Sequence, residues 1–407
     1  MHYHDRTVHT RQSVRQPHFL DWDTQPSAFK RYPHFLPRIR FDTLADRDFW
    51  PLLNGITQSV QTVSGPYALR TAPSAGALYP VELYVQSRGR GDLADGLYHY
   101  AANENALVRI AALGTGSGIE PFLGVGAVDG LVFALSSPWF RSAWKYRLRS
   151  FRYCGLDTGH LAGAIEAACG AAGKPFALWT GFDKPGLAAK LGLNAQEWVM
   201  AAAIAGTIGE APARPIAENL MQVPPTDYFE PWPQLIAAYH ETLETAGEKP
   251  APRTPSAVDR AVILNRRSIR NFTGGGMDKS ELEALWQTLE APPEITLWTV
   301  AHNVRGMEAG LYKNGVPARG GDFRALGMGL CLEQRLGGEG GALFFLTGKG
   351  DRYQSLMIQA GLIGQRLYLA AHGLGLGVSG IGAFYDGEVQ AFLETDEWVL
   401  YALAAGR

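Results

Sequence analysis

Arg266-Arg267-Ser268-Ile269-Arg270 sets three guanidinium groups and a hydroxyl within five residues, directly before Phe272 and a glycine run. Guanidinium forks grip phosphate oxygens bidentately, and a serine hydroxyl adds another donor. The strip reads as a phosphate grip or as a solvated basic face. Thr71-Ala72-Pro73-Ser74-Ala75-Gly76-Ala77-Leu78-Tyr79-Pro80 is a run of small residues leading into an alternating segment, Val81 to Gln86. Small side chains let main-chain amides approach a flat ligand edge, although a tight structural loop has the same composition. A third group, Trp144 to Tyr153, interleaves cations with aromatics. Within it Lys145 and Tyr146 are candidates for an acid/base pair, with a salt-bridged surface as the alternative. Gly375-Leu376-Gly377-Val378-Ser379-Gly380 satisfies GxGxxG, but its glycines follow a helix instead of opening one, a context that argues against the dinucleotide reading.

The elements that must position these residues occur twice. Leu131 to Ser136 echoes Leu343 to Thr347, Arg152-Tyr153 echoes Arg352-Tyr353, Glu197-Trp198-Val199 echoes Glu397-Trp398-Val399, and Gly96-Leu97-Tyr98 echoes Gly310-Leu311-Tyr312. The order is preserved, which points to a duplicated domain. The first copy is expected to hold a strand over Val81 to Gln86, a hairpin around Leu97 to Val108, a buried strand over Leu131 to Ser136, a helix over Leu156 to Ala172 and a buried strand over Trp198 to Ile208. The second is expected to begin a helix at Asp278 and to hold strands over Ile295 to Ala301 and Leu343 to Thr347. A helix over Tyr353 to His372 should bury one face. Between the copies, residues 211–257 carry nine prolines and read as a linker, interrupted by a short helix over Pro233 to Leu243. The expected class is α+β, with domains at 1–210 and 258–407.

Composition narrows the function. At 46% hydrophobic and 19% charged residues the chain is an ordinary globular one, and a net charge of -2 with a pI near 6.6 offers no field for nucleic acid or anionic lipid. Cys154, Cys169 and Cys331 lack metal-ligand spacing and read as reduced thiols of a cytoplasmic protein. The polar N-terminus has no apolar core for a signal peptide. His2, His4 and His9 have no carboxylate or cysteine cluster beside them and read as solvated, so no metal is expected.

At the quoted motifs the sequence resembles the FMN-dependent nitroreductase superfamily, and within it the SagB-type dehydrogenases, the azoline oxidases of ribosomal peptide biosynthesis. Arg266 to Phe272 resembles the family's opening phosphate motif, Ala72 to Tyr84 the branch's flavin-contacting loop, Gly375 to Phe384 the segment whose amides face the flavin, and Trp144-Lys145-Tyr146 the Lys-Tyr pair. The resemblance implies two nitroreductase-like α/β/α domains fused as an intramolecular pseudo-dimer. The first copy has the loop but no arginine strip, and the second has the strip but no Pro-Ser loop before Ile295. The resemblance therefore implies one FMN, bound by Pro73, Ser74, Ala75, Gly76 and Leu78 together with Arg266, Arg267, Ser268, Arg270, Gly382, Ala383 and the terminal Arg407, with the mirrored site empty. Lys145 or Tyr146 would take the substrate proton and Arg270 would place charge near the flavin. The implied substrate is azoline-type or another peptide-derived product, with a peptide-modifying partner. An NAD(P)H-dependent nitro, quinone or dehydroamino-acid reductase and a flavin-free peptide-binding scaffold are the competing readings.

Overall fold

The computed structural model describes residues 2–16, 19–62 and 65–407. The chain divides into two compact units, a larger one of Leu20–Leu264 and a smaller one that joins the N-terminal residues through Phe19 to Asn265–Arg407. Each contains its own antiparallel sheet and long buried helix, a mixed α/β architecture.

In the larger unit the strands are β1 (Arg38–Arg40), a separate hairpin of β2 (Ile56–Thr62) and β3 (Gly65–Arg70), then β4 (Glu82–Arg88), β5 (Gly96–Ala101), β6 (Ala106–Ala112), β7 (Gly126–Ser137), β8 (Ala177–Trp179) and β9 (Trp198–Pro212). The main sheet runs β1-β6-β5-β4-β7-β9-β8, antiparallel throughout. Between β7 and β8 come helices α1 (Phe140–Tyr146) and α2 (Ser150–Ala171), between β8 and β9 comes α3 (Lys184–Lys190), and α4 (Pro233–Glu241) follows β9. The first seven residues of β9 are fully buried, which explains their unbroken Trp-Val-Met-Ala-Ala-Ala-Ile run: a strand covered on both faces has no polar phase to show. Helix α2 is likewise buried nearly all round and begins at Ser150, six residues before the expected start, so part of the cation-aromatic run is its first turn. Burial on every side also makes the thiols of Cys154 and Cys169 poor acids, pushed up to about 12.

The smaller unit contains α5 (Lys279–Thr288), β10 (Ile295–Ala301), β11 (Gly310–Lys313), β12 (Val316–Gly320), β13 (Ala342–Gly348), α6 (Tyr353–Gly373), β14 (Gly377–Ile381), α7 (Asp386–Leu393) and β15 (Trp398–Gly406). Asp278 caps α5 in a capping box with Glu281, as its position before the helix implies. Helix α6 buries more than the one face its spacing suggested, Gln354 and Gln365 included. The sheet order is β12-β11-β10-β13-β15-β14. Strand for strand this repeats β6-β5-β4-β7-β9-β8, with the same antiparallel pairings. Even the irregularity recurs, since a bulge separates Val199 from Ala201 opposite β7 and Val399 from Tyr401 opposite β13. Glu197 and Glu397, each just before its strand, both accept a hydroxyl from the neighbouring strand, Ser136 and Thr347 respectively.

Residues 211–257 pack within the larger unit: Arg253 exchanges main-chain hydrogen bonds with Phe176, Tyr239 stacks on Trp198, and the Tyr239 hydroxyl donates to the Val199 carbonyl. Their prolines suit extended chain laid along an edge as well as they suit a spacer. The N-terminal histidines are packed instead of solvated. His2 stacks on Trp398, and buried His4 contacts the Tyr353 hydroxyl at 3.2 Å and lies 3.6 Å from the Asp386 carboxylate. Among the described residues no helix is long and apolar enough to cross a membrane, and no cluster has metal-ligand composition.

Candidate functional site

In the larger unit, the loop between β3 and β4 turns on backbone angles that side chains rarely adopt, with φ of 64° at Gly76, 54° at Ala77 and 47° at Tyr79. Such a bend persists only when its surroundings hold it. Ser74 Oγ donates to Asp157 Oδ2 of α2 at 2.5 Å and accepts from the Tyr79 amide at 2.9 Å, while the Ala75 amide reaches Asp157 Oδ1 at 3.4 Å. Arg141 donates to the Tyr79 carbonyl and pairs with Glu82 at 2.7 Å, and Glu82 also meets His99 at 2.8 Å. Burial would raise the Glu82 pKa, but Arg141, His99 and Arg70 outweigh it and hold the carboxylate below its ordinary range. No such cation offsets burial at Asp157, whose pKa is pushed up to about 7 against the Ser74 and Ala75 hydrogen bonds.

Gly76 is exposed, and its missing side chain is filled from α1. A Cβ there would stand 2.7 Å from the Tyr146 hydroxyl and 3.3 Å from Lys145 Nζ. The small-residue loop and the Lys-Tyr pair, quoted separately from sequence, thus form one cluster. Lys145 Nζ lies 5.6 Å from the centroid of the Tyr146 ring, which itself packs edge-on against Tyr153. Trp144 donates its indole N–H to Asp21 and Thr24 and meets Trp22 edge-on, fixing the end of α1.

In the smaller unit, the arginine strip lies beside β14. Ser268 bridges to Val378, Ile269 donates its amide to the Val378 carbonyl, and Ile269 packs where a Cβ on Gly377 would be. Gly377 and Gly380 are therefore strand residues that admit neighbouring side chains, whereas Gly375, at φ 70°, makes the turn after α6. The Tyr368 hydroxyl joins strip to segment, 2.8 Å from Ser268 Oγ and 2.7 Å from the Gly380 amide, which donates to it. Arg266 is buried with its guanidinium 5.2 Å from the Tyr368 ring centre, Arg267 donates to the Arg266 carbonyl, and Arg270 is exposed. Gly382 and Ala383 are partly exposed, with the Ala383 carbonyl accepting from Gln334. Arg407 is bonded to Glu281 at 3.0 Å and to the Gly276 carbonyl, so its charge already has a carboxylate partner.

The matching register identifies the counterpart of Gly382–Phe384. Ile381 pairs with Ala402 and Trp179 with Ala202, so Thr180, Gly181 and Phe182 leave β8 as Gly382, Ala383 and Phe384 leave β14. These counterparts are all buried. A Cβ on Gly181 would overlap the carbonyl of Ala246, from the proline-rich segment that crosses this face.

Asp157, Glu82, Arg141 and Tyr368 were not singled out from sequence.

Residues 263–407 match the sequence profile of the nitroreductase family. A protein of Methanocaldococcus jannaschii provisionally named a nitroreductase is 29% identical over 116 residues, 27% of this chain; the match spans 57% of that relative's length. The crystal structure of a protein from Anabaena variabilis, also provisionally named a nitroreductase, is similar over 100% of this chain and 98% of its own, with 27% identity and a TM-score of 0.81. The whole chain thus has the nitroreductase fold of a solved neighbour.

Proposed function

We propose that the chain is an FMN-dependent oxidoreductase with one flavin per chain, a dehydrogenase of the SagB-like kind acting on azoline-type or related peptide-derived substrates. The observation that carries this reading is the convergence of Lys145 and Tyr146 over Gly76 of the small-residue loop.

The donor set fits the cofactor. A loop of small residues with Gly76 exposed suits the close approach of a flat ring, and guanidinium groups beside a hydroxyl suit a phosphate. The reading assigns Pro73, Ser74, Ala75, Gly76 and Leu78, with Gly382 and Ala383, to the ring, and Arg266, Arg267, Ser268 and Arg270 to the phosphate and its neighbourhood. Arg407 would join them only by exchanging Glu281 for the phosphate. A single flavin is favoured because the counterpart of Gly382–Ala383 lies beneath Ala246.

When bound, FMN supplies a hydride acceptor. Lys145 or Tyr146 takes the proton that leaves the substrate with that hydride, so the substrate loses the two hydrogens of a dehydrogenation. Trp144 and its partners keep the end of α1, and with it the pair, over the loop.

Replacing Lys145 by Met, or Tyr146 by Phe, is expected to slow oxidation of an azoline-containing peptide about 100-fold, followed by mass spectrometry, while FMN stays bound. Rapid NAD(P)H consumption with a quinone, unaffected by either substitution, would instead favour a general reductase. A chain that cannot be reconstituted with FMN would favour the scaffold.

A further inference from the structure

We infer that Asp157 is a positioning residue whose protonation reverses the direction of the Ser74 hydroxyl, turning it from an acceptor into a donor toward the ligand of the loop. The inference rests on the reading that this loop contacts FMN, but its geometry lies wholly within the larger unit.

A serine hydroxyl has one proton and two acceptor positions. The Tyr79 amide occupies one acceptor position of Ser74, and Asp157 occupies a second direction at 2.5 Å. While Asp157 is a carboxylate, Ser74 must donate to it, and what it offers the third direction is a lone pair. Once Asp157 takes a proton from solvent, the carboxyl O–H donates to Ser74 Oγ, whose own proton is released to the third direction. No heavy-atom bond changes. Ser74 itself is half-buried.

The surroundings permit both states. Asp157 lines a small cavity with Asn54, Arg70, Ala72 and Leu161. Of the charged and titratable groups, Arg70 from β3 and Tyr79 from the loop line the same cavity, Cys154 lies one turn earlier on α2, and Lys145 and Tyr146 from α1 stand on the loop at Gly76. Arg70 is itself shared with Glu82 and the Tyr79 ring. Burial then raises the Asp157 pKa to about 7, so both protonation states are accessible in the folded chain.

The test is FMN affinity of the full chain from about pH 5 to about pH 9, read by flavin fluorescence, with the carboxyl band of Asp157 followed by infrared spectroscopy without flavin. The wild-type chain is expected to change affinity about tenfold through a midpoint near the Asp157 pKa, the scale of one hydrogen bond. Asp157→Asn can donate to Ser74 at every pH and should show the low-pH wild-type affinity throughout. Ser74→Ala, which leaves the helix intact, should also lose the transition. A variant that keeps the wild-type profile overturns the inference, as does an infrared band that does not titrate over this range. A band that titrates in a chain unable to bind FMN would defeat the flavin reading and leave the switch standing as a property of the loop.

Discussion

Gly382–Phe384 and Thr180–Phe182 leave equivalent strands, in sheets of the same order and with bulges at the same place, yet one segment is partly exposed and the other lies under Ala246. The two units share a sheet framework, while the surface at this strand end is partly open in one and covered in the other. The units differ in the same sense elsewhere. Strand β4 is approached through the strained loop anchored by Asp157, whereas β10 follows α5 through a short Pro-Pro turn; Ser268 lies along β14, whereas the chain beside β8 is Arg253 of the proline-rich segment. Duplicated topology therefore does not imply duplicated chemistry.

The anchoring also differs, and that gives the largest expected effect. The loop side of the larger unit rests on buried ions, so Arg141→Met strands Glu82 without its main partner and should cost about 3–5 kcal/mol in denaturant unfolding. A loss below about 1 kcal/mol would mean that the loop does not depend on that pair. Gly181→Ala comes next. The new methyl must displace the main chain of the proline-rich segment, and a loss of about 1–3 kcal/mol is expected, with faster proteolysis of residues 244–253. An unchanged melting temperature would show that the roof over this face yields easily. The smallest effect belongs to the neutral network of the other unit. Tyr368→Phe removes the hydroxyl between Ser268 and Gly380 and should cost about 1 kcal/mol, with weaker FMN binding as the second readout.

The legible parts of the sequence were those fixed by local pattern. Strands such as Ile295–Ala301, the capped start of α5 and the repeat itself are written in consecutive residues. The loop and the Lys-Tyr pair were also visible, but as separate motifs, because the approach of α1 to Gly76 depends on tertiary packing. The docking of the proline-rich segment was not legible, because proline reports that a stretch cannot join the interior of a sheet and says nothing about what it packs against. The start of α2 was missed because a helix buried on all sides has no polar face to mark its phase. Asp157, Arg141 and Tyr368 act through partners distant in sequence, and no spacing rule announces them.

The central claim is that two sheets of one topology support a single flavin. Its most direct test is the flavin content of the full chain after reconstitution with excess FMN, measured as released FMN per chain. The account predicts one FMN per chain, lost together with loop substitutions such as Gly76→Val, which would meet Tyr146 and Lys145. Two FMN per chain would contradict it by showing that the face beneath Ala246 opens, and none would remove the flavin from the account altogether.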